Sequence, residues 1–271
     1  EIRVVETGCL GPCDEGPVVI IYPEGVMYSR LQPTDIPKIV ENHLYKGRVV
    51  EELVFKEGKS GGELGSPAGV TLEGEKYLDR QKRVVLRNCG RINPDSIEEY
   101  IANRGYEALG KVLTELRPEQ VIAIVTDSKL QGRGGAGFPT GLKWSFTAKT
   151  QADKKYIVCN ADEGEPGTFK DRLIMEGDPH SIIEGMAIAG YAVGAEEGII
   201  YIRGEYQLSI ERMTRAIRQA NEYGLLGKNI FGSEFNFQIQ IRSGAGAYIC
   251  GEETALLESL EGNRGEPRVK P

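Results

Sequence analysis

The densest cluster of glycines in the chain lies in the segment GRGGAGFPTGLKW, which runs from Gly132 to Trp144. Glycine has no Cβ atom, so a ligand can lie directly on the backbone N–H groups of such a loop, and these groups bind phosphate well. The segment also satisfies G-x-G-x-x-G from Gly132 to Gly137, but in a chain with 35 glycines that pattern is weak evidence by itself. The segment predicts a cradle for a phosphate group and a ring.

Two acidic segments each follow a predicted strand. NADEGEPG begins at Asn160, after an apolar run, and GAGAYICGEET begins at Gly244, after an alternating one. Because the carboxyl ends of parallel strands meet at one edge of a sheet, we expect both segments to line one crevice. Carboxylates accept hydrogen bonds from sugar hydroxyls, whereas amides, Lys and Arg bind phosphate. Together with the glycine segment they predict a site for a sugar-bearing nucleotide.

The hydrophobic pattern predicts an α/β fold with a parallel sheet. Two short strands at 18–22 and 26–30 and a helix at 36–44 form an N-terminal unit. A capping box is expected at Asp95 and Glu98, and a helix is expected to begin at Pro118, although 121–125 also suits a strand. Further strands are predicted at 156–159, 199–202 and 235–241, and further helices at 180–193, 208–221 and 255–260. The strands are separated by helices, which predicts a parallel α/β sheet.

Composition limits the function classes. The chain has 271 residues, 40% of them hydrophobic and 27% charged, with a net charge of -7. This acidity argues against nucleic acid as a partner, and no apolar run approaches the roughly 20 residues that cross a bilayer. We therefore expect a cytoplasmic protein with no direct membrane insertion. Because the chain begins at Glu1 and stops at Pro271 without a tail, we expect it to be part of a longer polypeptide.

The three motifs carry a resemblance to a known family. From Arg83 to Pro271 the chain closely resembles the NADH-oxidising FMN flavoprotein subunit of respiratory complex I, the 51 kDa type. It also resembles the flavin subunits of soluble NAD(P)-linked [FeFe] hydrogenases and NAD-dependent formate dehydrogenases, which are closest in layout. The resemblance implies a Rossmann-like parallel-sheet FMN domain, which together with a helical lead-in occupies 76–271. The family's 4Fe-4S domain would follow after the last residue of this sequence. The implied cofactors are FMN and NAD(H), and the implied partners are NADH or NADPH and other redox subunits with iron-sulfur clusters.

The family's binding residues can be carried over position by position. The FMN site would be Gly132, Arg133, Gly134, Gly135, Lys143, Asn160, Asp162, Glu163, Tyr248, Gly251, Glu252 and Glu253. The nicotinamide nucleotide would contact Phe138, Phe146, Glu165 and Lys270. Hydride would pass from nicotinamide C4 to flavin N5 between rings about 3 to 3.5 Å apart, so no residue is expected to act as a general acid or base.

The N-terminal unit has its own resemblance. Cys9 and Cys13, followed by the strand–strand–helix unit, resemble the second half of a thioredoxin-like 2Fe-2S ferredoxin module at 1–58, with a linker at 59–75. Such a cluster needs four thiolates, so this pair would be half of the ligand set. Two incidental cysteines in a loop are the other interpretation. The remaining cysteines, at 89, 159 and 250, lack cluster-ligand spacing, and we expect them to be small buried side chains.

Two other functions stay open at this point. A Rossmann-type NAD dehydrogenase would use Gly132 to Gly137 as its fingerprint, which requires a strand directly before the loop. A non-catalytic scaffold that docks redox partners is the second. A P-loop ATPase is weaker, since the one G-K-S sequence, at Gly58 to Ser60, lacks the glycine five residues earlier that the motif requires: position 53 is Leu. The pattern distinguishes neither NADH from NADPH nor a hydrogenase, formate dehydrogenase or quinone arm as the final electron acceptor.

Overall fold

The computed structural model describes residues 2–10, 13–56 and 82–269. The chain divides into two compact units, one of residues 9–87 and a larger one of residues 1–8 and 88–271. The linker predicted at 59–75 lies outside the described residues.

The smaller unit has the predicted strand–strand–helix order. Strands β1 (Val19–Ile21) and β2 (Val26–Tyr28) pair antiparallel. Helix α1 (Ile36–Ile39) follows and continues as a π-helical turn over Val40–Tyr45. β2 is fully buried, and its Tyr28 accepts a hydrogen bond from the backbone of Val50 at 3.1 Å. The prediction of two strands and a helix is confirmed, and the thioredoxin-like assignment stays a prediction.

The larger unit contains the remaining regular elements of the described residues. In chain order these are α2 (Ile97–Ala102), α3 (Glu107–Glu115), α4 (Pro118–Asp127), α5 (Thr140–Lys149), β3 (Tyr156–Ala161), α6 (Lys170–Gly177), α7 (Pro179–Val193), β4 (Glu197–Arg203), α8 (Gln207–Glu222), β5 (Gln238–Gly244) and α9 (Glu253–Leu260). Between the strands the chain crosses over through helices, which is the connection that parallel strands require.

The three strands form a parallel sheet in the order β3-β4-β5. Cys159 lies opposite Ile200, and Ile200 lies opposite Ile241, so all three strands end at the same edge. The predicted parallel sheet is therefore confirmed in the described residues. On one face the buried side chains of β4 pack with those of α7 and α8, including Ile183 and Met213. This core holds the sheet edge in place, and the loops at that edge form the site.

Strand β5 was predicted three residues too early. Phe235 and Phe237 continue the apolar alternation, but their rings stack on each other with centroids 5.8 Å apart. The backbone of Phe237 pairs with Gly227 rather than with β4, and the Phe237 side chain is fully buried. These two residues therefore pack through their rings and do not pair with β4, so β5 begins at Gln238.

The N-terminal cap of α2 differs from the prediction. Ser96, not Asp95, caps α2: its Oγ accepts a hydrogen bond from the backbone N–H of Glu99 at 3.3 Å. The Asp95 carboxylate instead forms a salt bridge with Arg215 at 2.6 Å. Pro118 does begin α4, and the region at 121–125 is helical because Val121 packs with Val112 and Ala192.

A buried polar network joins α3 to α7. Glu184 accepts hydrogen bonds from the Tyr100 hydroxyl at 2.6 Å and from the backbone N–H of Tyr106 at 2.9 Å. His180, one turn earlier, is hydrogen-bonded to the Tyr106 hydroxyl at 2.8 Å and to Gln219 at 3.1 Å. Burial lowers the pKa of His180 to about 4, so the imidazole is neutral at pH 7.

Within the described residues, no helix combines the length and the apolar composition needed to span a bilayer. Of the other cysteines, Cys89 and Cys250 are buried as expected. Cys159 is partly exposed, but desolvation raises its pKa to about 12, so its thiol is protonated at neutral pH.

Candidate functional site

A cavity of about 470 Å³ lies at the sheet edge where β3 and β5 end. It is lined by Arg133, Gly134, Asn160, Asp162, Glu163, Glu165, Tyr248, Gly251 and Glu252, all of which the sequence predicts as binding residues. It is also lined by Gly164, Thr168, Lys170, Asp171 and Ile249, which the sequence analysis did not single out. The glycine segment and both acidic segments therefore meet at one cavity.

Asp162 is the most unusual group in this cavity. Its side chain is only 9% exposed, and neither carboxylate oxygen has a hydrogen-bond partner in the described part of the chain. Burial raises the pKa of Asp162, and the nearby Arg203 cation opposes that effect only in part. A buried acceptor without a partner costs free energy, so it fits a ligand that brings its own donors.

Asn160 joins the two acidic segments. Its Oδ1 accepts a hydrogen bond from the backbone N–H of Asp162 at 3.1 Å. Its Nδ2 donates to the carbonyl oxygen of Gly251 at 2.9 Å. The amide therefore fixes the loop after β3 against the loop after β5, and it holds Asp162 at the cavity wall.

Glu163 and Glu252 differ from Asp162 because helix N-termini already engage their carboxylates. Glu163 accepts hydrogen bonds from the backbone N–H groups of Asp171 at 2.9 Å and Arg172 at 3.3 Å, in the first turn of α6. Glu252 is the N-cap of α9 and accepts from Thr254 N at 2.8 Å and Ala255 N at 3.0 Å. Both carboxylates accept hydrogen bonds from the backbone at a helix N-terminus, where the helix dipole is positive.

Two further contacts shape the cavity. The Tyr248 hydroxyl donates a hydrogen bond to Oε1 of Glu165 at 2.5 Å, which links the two acidic segments a second time and raises the pKa of Tyr248. Arg203, the last residue of β4, donates to the carbonyl oxygen of Glu163 at 2.7 Å and pairs with Glu205 at 2.9 Å. Strand β4 thus supports the loop that follows β3.

The glycine loop borders the cavity at Arg133 and Gly134. A Cβ atom at Gly134 or Gly135 would meet no atom within 4 Å, and neither residue has a positive φ. Nothing in the described chain therefore demands glycine at these two positions, whereas a ligand lying on the loop would. The segment before the loop is helix α4, not a strand, so the requirement of the Rossmann fingerprint is not met.

Other predicted residues lie outside the cavity lining. Phe138 and Phe146 are 49% and 55% exposed. Lys143 forms a salt bridge with Glu253 at 3.5 Å, which joins α5 to the start of α9. Gly132 and Gly135 flank the lining residues in sequence, and Lys270 lies outside the described residues.

The predicted cluster ligands belong to the smaller unit. Cys9 is partly buried, and Cys13 begins a short 3₁₀ turn. No three His, Cys, Asp or Glu side chains in the described ranges are placed to hold a metal ion. The iron-sulfur ligands therefore stay a prediction.

Comparison with known families agrees with this geometry. The model of the complex I 51 kDa family, described as the Nuo51 FMN-binding domain, matches residues 125–271. This range is more than half of the chain and contains all of the cavity residues. The chain belongs to the Nuo51 FMN-binding family. The resemblance on which the sequence predictions depended is confirmed.

Curated relatives of this family member include hydrogenase and quinone oxidoreductase subunits. The chain is 60% identical over 192 residues to the NADP-reducing hydrogenase subunit HndC of Solidesulfovibrio fructosivorans, covering 71% of this chain and 39% of that protein. It is 42% identical over 270 residues to the NAD-reducing hydrogenase HoxS subunit alpha of Cupriavidus necator, covering 98% of this chain and 41% of that protein. An NADH-quinone oxidoreductase subunit of Aquifex aeolicus is 53% identical over 195 residues, which are 72% of this chain and 45% of that protein.

A solved structure has the same fold over nearly the whole chain. It is an NAD⁺-reducing [NiFe]-hydrogenase in the H₂-reduced state, which matches with a TM-score of 0.58 and 32% identity. The match covers 98% of this chain and 40% of that one. The chain thus spans about two fifths of the length of the proteins it resembles most fully.

Proposed function

We propose that the cavity at the ends of β3 and β5 binds FMN, and that the chain takes hydride from NADH or NADPH at this site. The observation that carries the proposal is Asp162, a buried carboxylate on the cavity wall without a hydrogen-bond partner in the described residues. A ribityl chain offers several hydroxyl donors, and such donors would complete the hydrogen bonding of Asp162. Membership of an FMN-binding family supports the same ligand.

The rest of the cavity suits the other parts of FMN. Its volume of about 470 Å³ falls in the usual range of ligand pockets, about 300–1,000 Å³. Arg133 and Lys170 would bind the phosphate, together with the backbone N–H groups of the glycine loop. The open space beside Gly134 would admit the ligand against the backbone. Residues from all three segments would therefore hold FMN at once.

The chain's own residues would bind and orient the reactants rather than move protons. When bound, FMN supplies a two-electron acceptor that passes electrons on one at a time. Asp162, Glu163, Glu165 and Glu252 place negative charge around the cavity, which would disfavour an anionic reduced cofactor and lower its reduction potential. The exposed rings of Phe138 and Phe146 would contact the nicotinamide nucleotide.

The wider role belongs to the same proposal. Relatives named as subunits of hydrogenases and of NADH-quinone oxidoreductase support a place in a multisubunit complex, with electrons passing to iron-sulfur clusters of partner subunits. Cys9 and Cys13 would supply half of the ligands of a 2Fe-2S cluster, and a 4Fe-4S cluster would lie in a further C-terminal domain.

A binding experiment with two flavins tests the proposal. The purified protein is titrated with FMN and with riboflavin, and the quenching of flavin fluorescence is followed. We expect one FMN per chain and clearly weaker binding of riboflavin, which lacks the phosphate for Arg133 and Lys170. Equal affinity for the two flavins would contradict the phosphate assignment, and no affinity for either would support the scaffold alternative.

A further inference from the structure

Arg203 is the last residue of β4, the strand that lies between the two strands whose following loops form the cavity. Its Nη1 donates a hydrogen bond to the carbonyl oxygen of Glu163 at 2.7 Å. A Cβ atom on Gly164, which lines the cavity, would lie 3.7 Å from the same nitrogen. The guanidinium of Arg203 therefore lies against the backbone of the cavity wall.

Two neighbouring side chains fix the orientation of this guanidinium. Glu205 accepts hydrogen bonds from its Nε at 3.2 Å and from its Nη2 at 2.9 Å. The Tyr206 ring makes a cation–π contact with it, with 5.9 Å between the guanidinium carbon and the ring centroid. Glu205 also lies close to the loop after β5, where a Cβ atom on Gly246 would be 2.6 Å from its Oε1. Arg203 thus has a fixed position between the two loops of the cavity.

The buried carboxylate of Asp162 needs a cation of this kind. Burial raises the pKa of Asp162, and the charge of Arg203 acts against that effect. Two cations of the described cavity lining have other partners: Lys170 pairs with Asp171 at 2.7 Å, and Arg133 is assigned with Lys170 to the phosphate. An ionised carboxylate accepts stronger hydrogen bonds than a protonated one. A nearby cation therefore favours the form of Asp162 that binds hydroxyl groups best.

We infer that Arg203 is a positioning residue of the flavin site, which balances the charge of Asp162 so that this carboxylate can accept the hydroxyl groups of the ribityl chain. The inference rests on the proposed function. Arg203 is not among the residues that line the cavity, so it acts through Asp162 and not by touching FMN. Its contribution to FMN affinity should therefore depend on the charge at position 162.

A double-mutant cycle tests this dependence, with FMN dissociation constants measured for the intact chain at pH 7. Arg203→Met removes the cation and should weaken FMN binding about tenfold in the otherwise unaltered protein. In the Asp162→Asn protein, which has no charge to balance, the same change should weaken binding by at most about threefold. Arg203→Lys keeps the charge but not the planar fork, and it should stay within about threefold of the unaltered protein.

Arg242→Met is the matched control for the loss of one positive charge. Arg242 is an exposed residue of β5 outside the cavity lining, two residues before the end of that strand. The control should change FMN affinity by less than about twofold, because an exposed charge is screened by solvent. A loss as large as that of Arg203→Met would assign the effect to the overall charge of the protein and would overturn the inference.

Two other results would overturn it. Equal losses from Arg203→Met in the two backgrounds would make Arg203 a structural residue only, and a loss in Arg203→Lys as large as in Arg203→Met would show that its charge has no role. If Arg203→Met does not fold, the double variant with Asp162→Asn should fold and bind FMN as Asp162→Asn does, and its failure to fold would contradict the inference as well.

The unaltered protein separates this inference from the proposed function. If it binds FMN while the two substitutions act independently, only the role of Arg203 fails. If it binds no FMN, the proposed function fails, and urea unfolding of the FMN-free chain still tests the link between the two residues. Arg203→Met should then lower the urea midpoint more in the presence of Asp162 than in the Asp162→Asn chain, and equal shifts would refute the link.

Discussion

Asp162→Asn separates a ligand-binding role from a structural one, because the two roles predict opposite signs for stability. The substitution keeps the shape of the side chain and removes its charge. In the FMN-free chain the carboxylate is buried and has no hydrogen-bond partner among the described residues. Neutralising it should stabilise that chain by roughly 1 kcal/mol at pH 7, because burying a neutral amide costs less than burying a charged carboxylate.

The same substitution should lower the affinity for FMN. A hydrogen bond to a charged group contributes roughly 1.5–3 kcal/mol, so the variant should bind FMN about 10- to 150-fold more weakly. Since burial raises the pKa of Asp162, the stability difference has a definite pH dependence. The unaltered chain gains stability as the pH falls through that raised pKa, so the advantage of the variant should be greatest at neutral pH and should vanish in acid.

The assay is urea unfolding of the FMN-free protein, followed by the fluorescence of Trp144, the only tryptophan of the chain, which lies in the larger unit. Glu163→Gln is the matched control: it removes the neighbouring charge, but this carboxylate caps α6. It should destabilise the chain by up to roughly 1 kcal/mol. If Asp162→Asn also destabilises the chain, or if its FMN affinity is unchanged, the reasoning about Asp162 is refuted.

Two further predictions concern the glycine loop and the buried histidine. Gly134→Ala should weaken FMN binding without lowering the free energy of unfolding. A Cβ atom at this position would contact no atom of the chain within 4 Å, but it would clash with a ligand that lies on the loop. A variant that unfolds more easily but binds FMN normally would contradict this. His180 has its pKa lowered from 6.5 to about 4 by burial, so its contribution to stability is present above pH 6.5 and is lost as the pH falls toward 4. The difference corresponds to roughly 3 kcal/mol. Unfolding curves across this pH range and the NMR titration of the His180 ring check it, and a ring that titrates near pH 6.5 would refute it.

The sheet and its edge could be predicted from sequence because their signals are local. Runs of apolar residues at 156–159 and 199–202 mark strands β3 and β4. The acidic residues that follow predicted strands are visible in the sequence itself. Parallel strands then place those segments at one edge. The cavity follows from this topology, and the family resemblance supplied the individual residues.

What the sequence did not reveal depends on contacts between distant segments. Asp162 and Glu163 are adjacent acidic residues that the sequence does not distinguish. The Glu163 carboxylate accepts a hydrogen bond from the first turn of α6, whereas the Asp162 carboxylate has no hydrogen-bond partner in the described chain. That difference depends on where α6 begins, at Lys170, which also brings Lys170 and Asp171 to the cavity. Likewise, Ser96 replaces Asp95 as the cap of α2 because Arg215, far along the chain, takes the Asp95 carboxylate.

The most direct test of the central claim is an anaerobic titration of the FMN-loaded protein with NADH, followed by the visible absorption of the flavin. The proposal predicts that one FMN is retained per chain through gel filtration and that stoichiometric NADH bleaches its absorption. A chain that retains no flavin after exposure to excess FMN, or one whose bound flavin keeps its absorption with excess NADH and NADPH, would contradict it.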